Sequence, residues 1–256
     1  MKRIVVKVGS AVLTQDGEVA LDRMQSLVDF LIELKINNEV ILVSSGAVSA
    51  GYTELKLDRA IIQNKQALAS IGQPILMNKY ANKFAKYNIL CSQVLVTSAN
   101  LSKADDIKRI KNTIDTLIDN NVIPIVNEND ATSTEELEVG DNDQLSAYIA
   151  KHTDSDFLII LSDIDAYYDK DPRTHTDANV RKVVQHIAKE ELEKDVTPNS
   201  VFATGGIVTK LKAAQYMFEN NISMFLASGF DLADVKSYTL NGVHKGGTLF
   251  KAKNWK

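Results

Sequence analysis

The sequence predicts an α/β fold: a three-layer αβα sandwich with a mostly parallel central sheet. Three observations carry that expectation. Short apolar runs alternate with longer segments along the whole chain, the short runs are almost unbroken in Val, Ile and Leu, and the longer ones repeat apolar residues at helical spacing. Strands covered by helices on both faces read as continuous apolar runs, whereas strands with one wet face alternate. Strand, helix and strand in repeated order therefore give helices on both sides of a parallel sheet.

The expected strands lie at 3–8, 40–44, 90–97, 122–126, 157–161 and 222–226. One helical stripe is Met24, Leu27, Val28, Leu31 and Leu34, opened by an Asp22 cap with Gln25 three residues on. A second is Ile107, Ile110, Ile114, Leu117 and Ile118, with Ser102 as its cap. A third is Ile207, Leu211, Ala214, Met217 and Phe218. Two stretches break the alternation. Residues 131–139 read as a polar hairpin, and residues 163–179, rich in Asp, Tyr and Thr, as a loop or ribbon over a site. No repeat or Pro/Gly linker divides the chain. It reads as a single domain over 1–256, with two lobes meeting near residue 155.

Composition narrows the function classes. The chain has 256 residues, 45% hydrophobic and 24% charged, with a net charge of -4. That balance argues against the broad basic patch of a nucleic-acid binder. Cys91 is the single cysteine, so an intramolecular disulfide is excluded and a reducing compartment is expected. Lys2 and Arg3 precede an apolar run that imitates a signal peptide, but Lys7 and Gly9 interrupt it. No apolar stretch approaches the roughly 18 residues that span a bilayer. The expectation is a cytoplasmic protein without a membrane partner.

The densest chemical signal is acidic. Asn127-Glu128-Asn129-Asp130 and Gly140-Asp141-Asn142-Asp143 bracket a stretch holding seven carboxylates and no Lys or Arg. Such a cluster raises its own pKa values unless something cationic sits opposite. Two lysines stand in unusual settings. Lys7 ends an apolar strand before Gly9, where open α/β sheets place ligands; it either meets an anion there or snorkels out. Lys210 follows Thr204-Gly205-Gly206-Ile207-Val208-Thr209 and lies on the apolar side of a helix's first turns, where the dipole disfavours a cation. A phosphate at the helix N-terminus would compensate; a solvated surface lysine is the alternative.

Ser44-Ser45-Gly46-Ala47 would open a helix after the second strand, as an anion cradle or an ordinary turn. Gly46 and Gly51 have Walker A spacing, but Tyr52 stands where that loop needs Lys. Asp143 heads a helix, a position at which an aspartate is commonly only a cap. The four histidines are scattered and no metal-ligand spacing appears.

Taken together and in order, Val6–Ser10, Ser44–Ala47, Asn127–Asp130, Gly140–Asp143, Ser162-Asp163-Ile164-Asp165 and Thr204–Lys210 resemble the amino acid kinase family. The resemblance runs from residue 3 to about 250. The pairing of the two acidic blocks, with Ala67-Leu68-Ala69-Ser70-Ile71-Gly72-Gln73, is similar to the branch of the family that phosphorylates free glutamate. It implies the amino acid kinase fold, a lobe near 1–155 binding L-glutamate and a lobe near 156–256 binding ATP. Lys7, Lys210 and Asp143 would be catalytic, Asp143 holding both ammonium groups. Ser45, Gly46, Asn127, Asp130, Asp141 and Asn142 would bind glutamate. Lys7, Ser162, Asp163, Thr204, Gly205, Gly206, Ile207, Val208, Thr209 and Lys210 would line the ATP site. Mg²⁺ would ride on the ATP phosphates without protein ligands.

The implied reaction makes an acyl phosphate for proline biosynthesis, with proline as feedback inhibitor and a homodimer or homotetramer as the assembly. Ala166 and Ala203 stand where the family usually has Gly, and Ile207 where Met is common. Many relatives carry an extra C-terminal domain of RNA-binding type, and the end at Lys256 implies that its role is absent here. The competing expectations are a kinase for N-acetylglutamate or aspartate, or a non-catalytic amino-acid sensor.

Overall fold

In the computed structural model, which describes residues 1–132, 142–193 and 206–253, the chain begins with β1 (Lys2–Val8) and the one-turn α1 (Ser10–Leu13). A small hairpin follows, β2 (Thr14–Gln15) and β3 (Glu18–Val19). Asp16 and Gly17 both take positive φ at its tip, as the twist of a two-residue hairpin turn demands. Next come α2 (Leu21–Lys35), β4 (Asn38–Val43), α3 (Ala47–Glu54), α4 (Ile62–Ala85), β5 (Cys91–Val96), α5 (Ser98–Leu101), α6 (Ala104–Asp119) and β6 (Ile123–Glu128). The second half holds α7 (Asn142–His152), β7 (Phe157–Ser162), β8 (Val183–Val184), α8 (Lys189–Leu192), α9 (Ile207–Glu219), β9 (Ser223–Ser228), α10 (Ala233–Asn241) and β10 (Thr248–Phe250).

All six expected strands form, and they pair in parallel within one eight-stranded sheet ordered β5-β6-β4-β1-β7-β9-β10-β8. Within that sheet, among the described residues, only the β9–β10 pair is antiparallel. Besides the β2–β3 hairpin, the sequence reading missed two short strands of this sheet, β8 and β10, which complete one edge. They are too brief for periodicity to register. The capping expectations fail at two helices. Ala20 precedes α2 with Asp22 already inside it, and Lys103 precedes α6, while Ser102 closes α5 with its hydroxyl on the Ala99 carbonyl. In both places packing of the apolar stripe sets the helix start without side-chain capping.

Two apolar layers sandwich the sheet. Ile4, Val6, Leu42, Ile159 and Phe225 face α2, α4 and α10, whereas Val5, Ile41, Val43, Ile160 and Leu226 face α7 and α9. The pleat alternates side chains strictly, so Lys7 shares the face of Val5. β1 lies between β4 and β7, with Lys7 opposite Val43 and Ile160. From β1 the chain leaves towards β4 and later returns on the other side at β7, so the carboxyl ends of these strands form a topological switch point.

Gly51 and Gly72 bring α3 against α4. A Cβ on Gly51 would sit 1.9 Å from the Leu68 carbonyl, and one on Gly72 would sit 1.8 Å from the Ala47 carbonyl. The Gly46–Gly51 spacing therefore serves helix contact: Gly51 is within α3, and only Gly46 is in the turn, at φ +103°.

The 163–179 segment is irregular. It is closed by a bridge between Tyr168 and Val180 and by the Arg181 amide on the Tyr167 carbonyl. The expected 131–139 hairpin lies almost wholly outside the described residues, as do Asp141, Gly140, Thr204 and Gly205.

Candidate active site

Asp143 is fully buried in the first turn of α7. Its Oδ1 lies 2.5 Å from Lys7 Nζ and its Oδ2 lies 3.0 Å from Lys210 Nζ. Both lysines are nearly enclosed, at 4% and 3% exposure. One carboxylate thus bridges two ammonium groups that enter from β1 and α9. The pleat aims Lys7 at the α7/α9 layer, and Lys210 falls on the buried side of α9 with Leu211 and Ala214.

The first turns of α7 and α9 meet here. Thr209 Oγ1 is 2.9 Å from both Asp143 Oδ2 and the Gly206 carbonyl, and Lys210 Nζ is 3.5 Å from that carbonyl. Tyr148 of α7 packs against Tyr216 of α9 at 4.8 Å, tying the helices together further along. Two helix N-termini and two ammonium groups in one place favour an anion of high charge. A buried ion triad is costly to assemble and adds little net stability, so its value lies in holding charges ready. Gly9 follows β1 in extended conformation, and a Cβ there would lie 3.8 Å from Lys7 Nζ. The glycine leaves the approach to that ammonium uncrowded.

A second cluster lies at the ends of β4 and β6. Asn142 Nδ2 sits 2.8 Å from the Ser44 carbonyl, 2.7 Å from Ser45 Oγ and 3.0 Å from Asn127 Oδ1. Being adjacent to Asp143, Asn142 links this cluster to the lysines. Asn127 Nδ2 donates to Gln73 Oε1 at 2.9 Å, and Gln73 Nε2 to Gln93 Oε1 at 2.9 Å. Behind them Tyr80, fully buried, pairs its hydroxyl with Ser44 Oγ at 3.0 Å. Burial pushes that phenol far up, so it stays neutral.

Beside this cluster is a cavity of about 170 Å³ lined by Ala47, Gln73, Gln93, Glu128, Asn129 and Asp130, among others. Burial, and then repulsion from Glu128, raises the Asp130 carboxyl to about 6, while Lys65 pulls it down. A carboxylate kept in such surroundings suits a cationic partner.

Ser162 and Asp163 end β7, next to β1. The Ser162 hydroxyl donates to Asp163 at 2.9 Å, and the Ser162 carbonyl accepts from the Gly229 amide at 2.7 Å. Gly206 precedes α9, Ile207 and Val208 fill its first turn, and Val208 is buried.

Of the residues singled out from the sequence, the structure gathers Lys7, Asp143, Gly206, Thr209 and Lys210 into one cluster. It gathers Ser45, Asn127 and Asn142 into an adjoining one. Asp130 lies in the neighbouring cavity wall, and Ser162 and Asp163 at the next strand end. Gln73, Gln93 and Tyr80 were missed as site residues. Gln73 had a usable signal: it interrupts the otherwise apolar stripe Ala69, Gly72, Leu76, Tyr80 at helical spacing. Among the described residues no three His, Cys, Asp or Glu side chains converge as a metal site.

The chain matches the Amino acid kinase family over residues 2–228. It is 49% identical to the glutamate 5-kinase of Leishmania donovani, over 99% of this chain and 96% of that protein. It is 51% identical to the glutamate 5-kinase of Wolinella succinogenes, over 98% of each. Among solved structures, an isopentenyl phosphate kinase superposes with a TM-score of 0.68 at 15% identity, covering 96% of this chain and 99% of that one. Carbamate kinase from Giardia lamblia gives 0.65 at 18%, covering 97% and 98%. At such identities these two speak for the fold alone. No helix of the described residues is long and apolar enough to cross a membrane.

Proposed function

Because the chain belongs to the amino acid kinase family, we propose that it transfers the γ-phosphoryl group of ATP to the γ-carboxylate of L-glutamate. The products are L-glutamyl 5-phosphate and ADP, and the reaction opens proline biosynthesis. The observation that carries this reading is the Asp143 bridge: one buried carboxylate holding Lys7 and Lys210 where two helix N-termini meet.

The nucleophile is the substrate's own γ-carboxylate, ionised at neutral pH because its ordinary pKa is about 4.3. No general base is required. The protein's work is to bring two anions together in line and to stabilise charge on the phosphoryl oxygens. Lys7 and Lys210 supply that charge, and Asp143 holds both in position before substrate arrives. The backbone amides around Gly206, with Ile207, Val208 and Thr209, line the phosphate path. Ser162 and Asp163 border the nucleotide at the end of β7, and Thr204 and Gly205 belong to the same glycine segment. The paired ammonium groups and helix N-termini fit a polyphosphate. Mg²⁺, carried on those phosphates, would supply further charge neutralisation.

The glutamate would lie between Ser45, Gly46, Asn127 and Asn142 on one side and Asp130 on the other. Asp130 is suited to the α-ammonium group, which N-acetylglutamate lacks. The division of labour follows the sheet: the half built by β5, β6, β4 and β1 takes the amino acid, and the half beyond β7 the nucleotide. Proline, which shares glutamate's α-ammonium and α-carboxylate but lacks its γ-carboxylate, would compete in the glutamate pocket. The working protein is a homo-oligomer in the cytoplasm.

Trapping with hydroxylamine tests the reaction. An acyl phosphate gives a hydroxamate, so ATP-dependent hydroxamate should form with L-glutamate and far less with N-acetylglutamate or aspartate. Preference for either of the latter would overturn the assignment.

A further inference from the structure

The orientation of every amide in the second cluster is set by backbone groups at its ends. The Ser44 carbonyl can only accept, so the Asn142 atom 2.8 Å away is its NH₂. The Glu128 amide can only donate, so the Asn127 atom 2.9 Å away is its oxygen. The Asn127 NH₂ must then face Gln73, whose oxygen receives it at 2.9 Å. The Gln73 NH₂ must in turn face Gln93, whose oxygen receives it at 2.9 Å. Reversing any one amide would set donor against donor or acceptor against acceptor.

Gln73 is the member of this relay that comes from the buried face of a helix, at the wall of the cavity beside Asp130. It is 8% exposed on the buried face of α4, and a primary amide there is costly unless both its ends are bonded. Gly72 and Gly51 press α4 onto α3, which holds Gln73 against the end of β6. Tyr80, seven residues on along the same face, holds Ser44 at the end of β4. The helix therefore supports both strand ends from behind.

We propose that Gln73 is a positioning residue for the amino-acid site. It gives Asn127, whose oxygen already receives the Glu128 amide, a second anchor on its NH₂, and through Asn127 it steadies the Asn142–Ser45 pair that receives the substrate. The inference rests on the glutamate reading above, and its test separates the two.

L-Glutamate binding is measured by titration calorimetry, together with KM for glutamate and for ATP. Gln73→Met keeps the volume and removes both hydrogen bonds. It should raise Kd and KM for glutamate about tenfold, the scale of one lost buried hydrogen bond, with KM for ATP within about twofold. In an Asn127→Ala background the same change should be nearly silent, because nothing remains to be oriented. An equal effect in both backgrounds overturns the proposal, as does a lowered Tm with unchanged glutamate KM. If Gln73→Met does not fold, Gln93→Leu at the exposed end of the relay should produce a smaller rise selective for glutamate; no rise there also overturns it. Wild-type protein that fails to bind L-glutamate removes the functional reading and this inference together. Wild-type binding with indifferent variants removes this inference alone.

Discussion

Lys7 Nζ and Asp143 Oδ1 lie 2.5 Å apart although 136 residues separate them in sequence. With Lys210 on the other oxygen, the carboxylate acts as a brace between the sheet and α9.

Asp143→Asn keeps the shape and removes the charge that both ammonium groups face. It should lower kcat by on the order of 10²–10³ and reduce stability by about 3–5 kcal/mol. Lys210→Ala should lower kcat comparably, as loss of one preorganised charge donor does. Steady-state kinetics with urea unfolding would check both; normal turnover of the lysine variant would remove Lys210 from the mechanism.

Asp130 gives a pH signature. Its carboxyl titrates near 6 in the folded protein against 3.8 ordinarily. Glutamate KM should rise as pH falls through about 6, because the neutral acid no longer attracts an ammonium group. Stability runs the other way: the contribution is present below about 3.8 and lost as pH rises through about 6. Asp130→Asn should therefore weaken glutamate much more than ATP, flatten that pH dependence, and stabilise the free protein at pH 7 by on the order of 2 kcal/mol. A variant equally impaired for both substrates would contradict the ammonium role.

Gly72→Ala would place a methyl carbon 1.8 Å from the Ala47 carbonyl. The helices must separate, at a cost of about 1–3 kcal/mol or more. Since α3 begins beside Ser45 and Gly46, thermal melting and glutamate KM should worsen together. A lower Tm with unaltered KM would mean that the α3–α4 contact does not position the site.

Proline should raise the apparent KM for glutamate without lowering the limiting rate. Inhibition competitive only with ATP would argue against a shared pocket.

Lys7 was legible because an ammonium group inside an apolar strand needs an explanation, and Lys210 because it breaks two helix rules together. The density of the two acidic blocks singled out the segments holding Asn127, Asp130, Asn142 and Asp143, although Asp143 by itself read more readily as a cap and the family resemblance supplied the individual roles. Gln73 showed in the sequence only as a break in the apolar stripe of α4, since the partners that give it a role, Asn127 and Gln93, lie elsewhere in the chain. Gly51 belongs to no phosphate loop, since Tyr52 stands where such a loop needs Lys, and the contact that explains it lies on another helix.

Hydrophobic periodicity by itself determined the layer order and all six principal strands, because pleat and helix repeat at different periods and each is written locally. Tertiary structure alone decided that Lys7, Asp143 and Lys210 share one buried point, and which way each amide faces. Those relations depend on strand order and on hydrogen-bond partners distant in the chain, which no local pattern encodes.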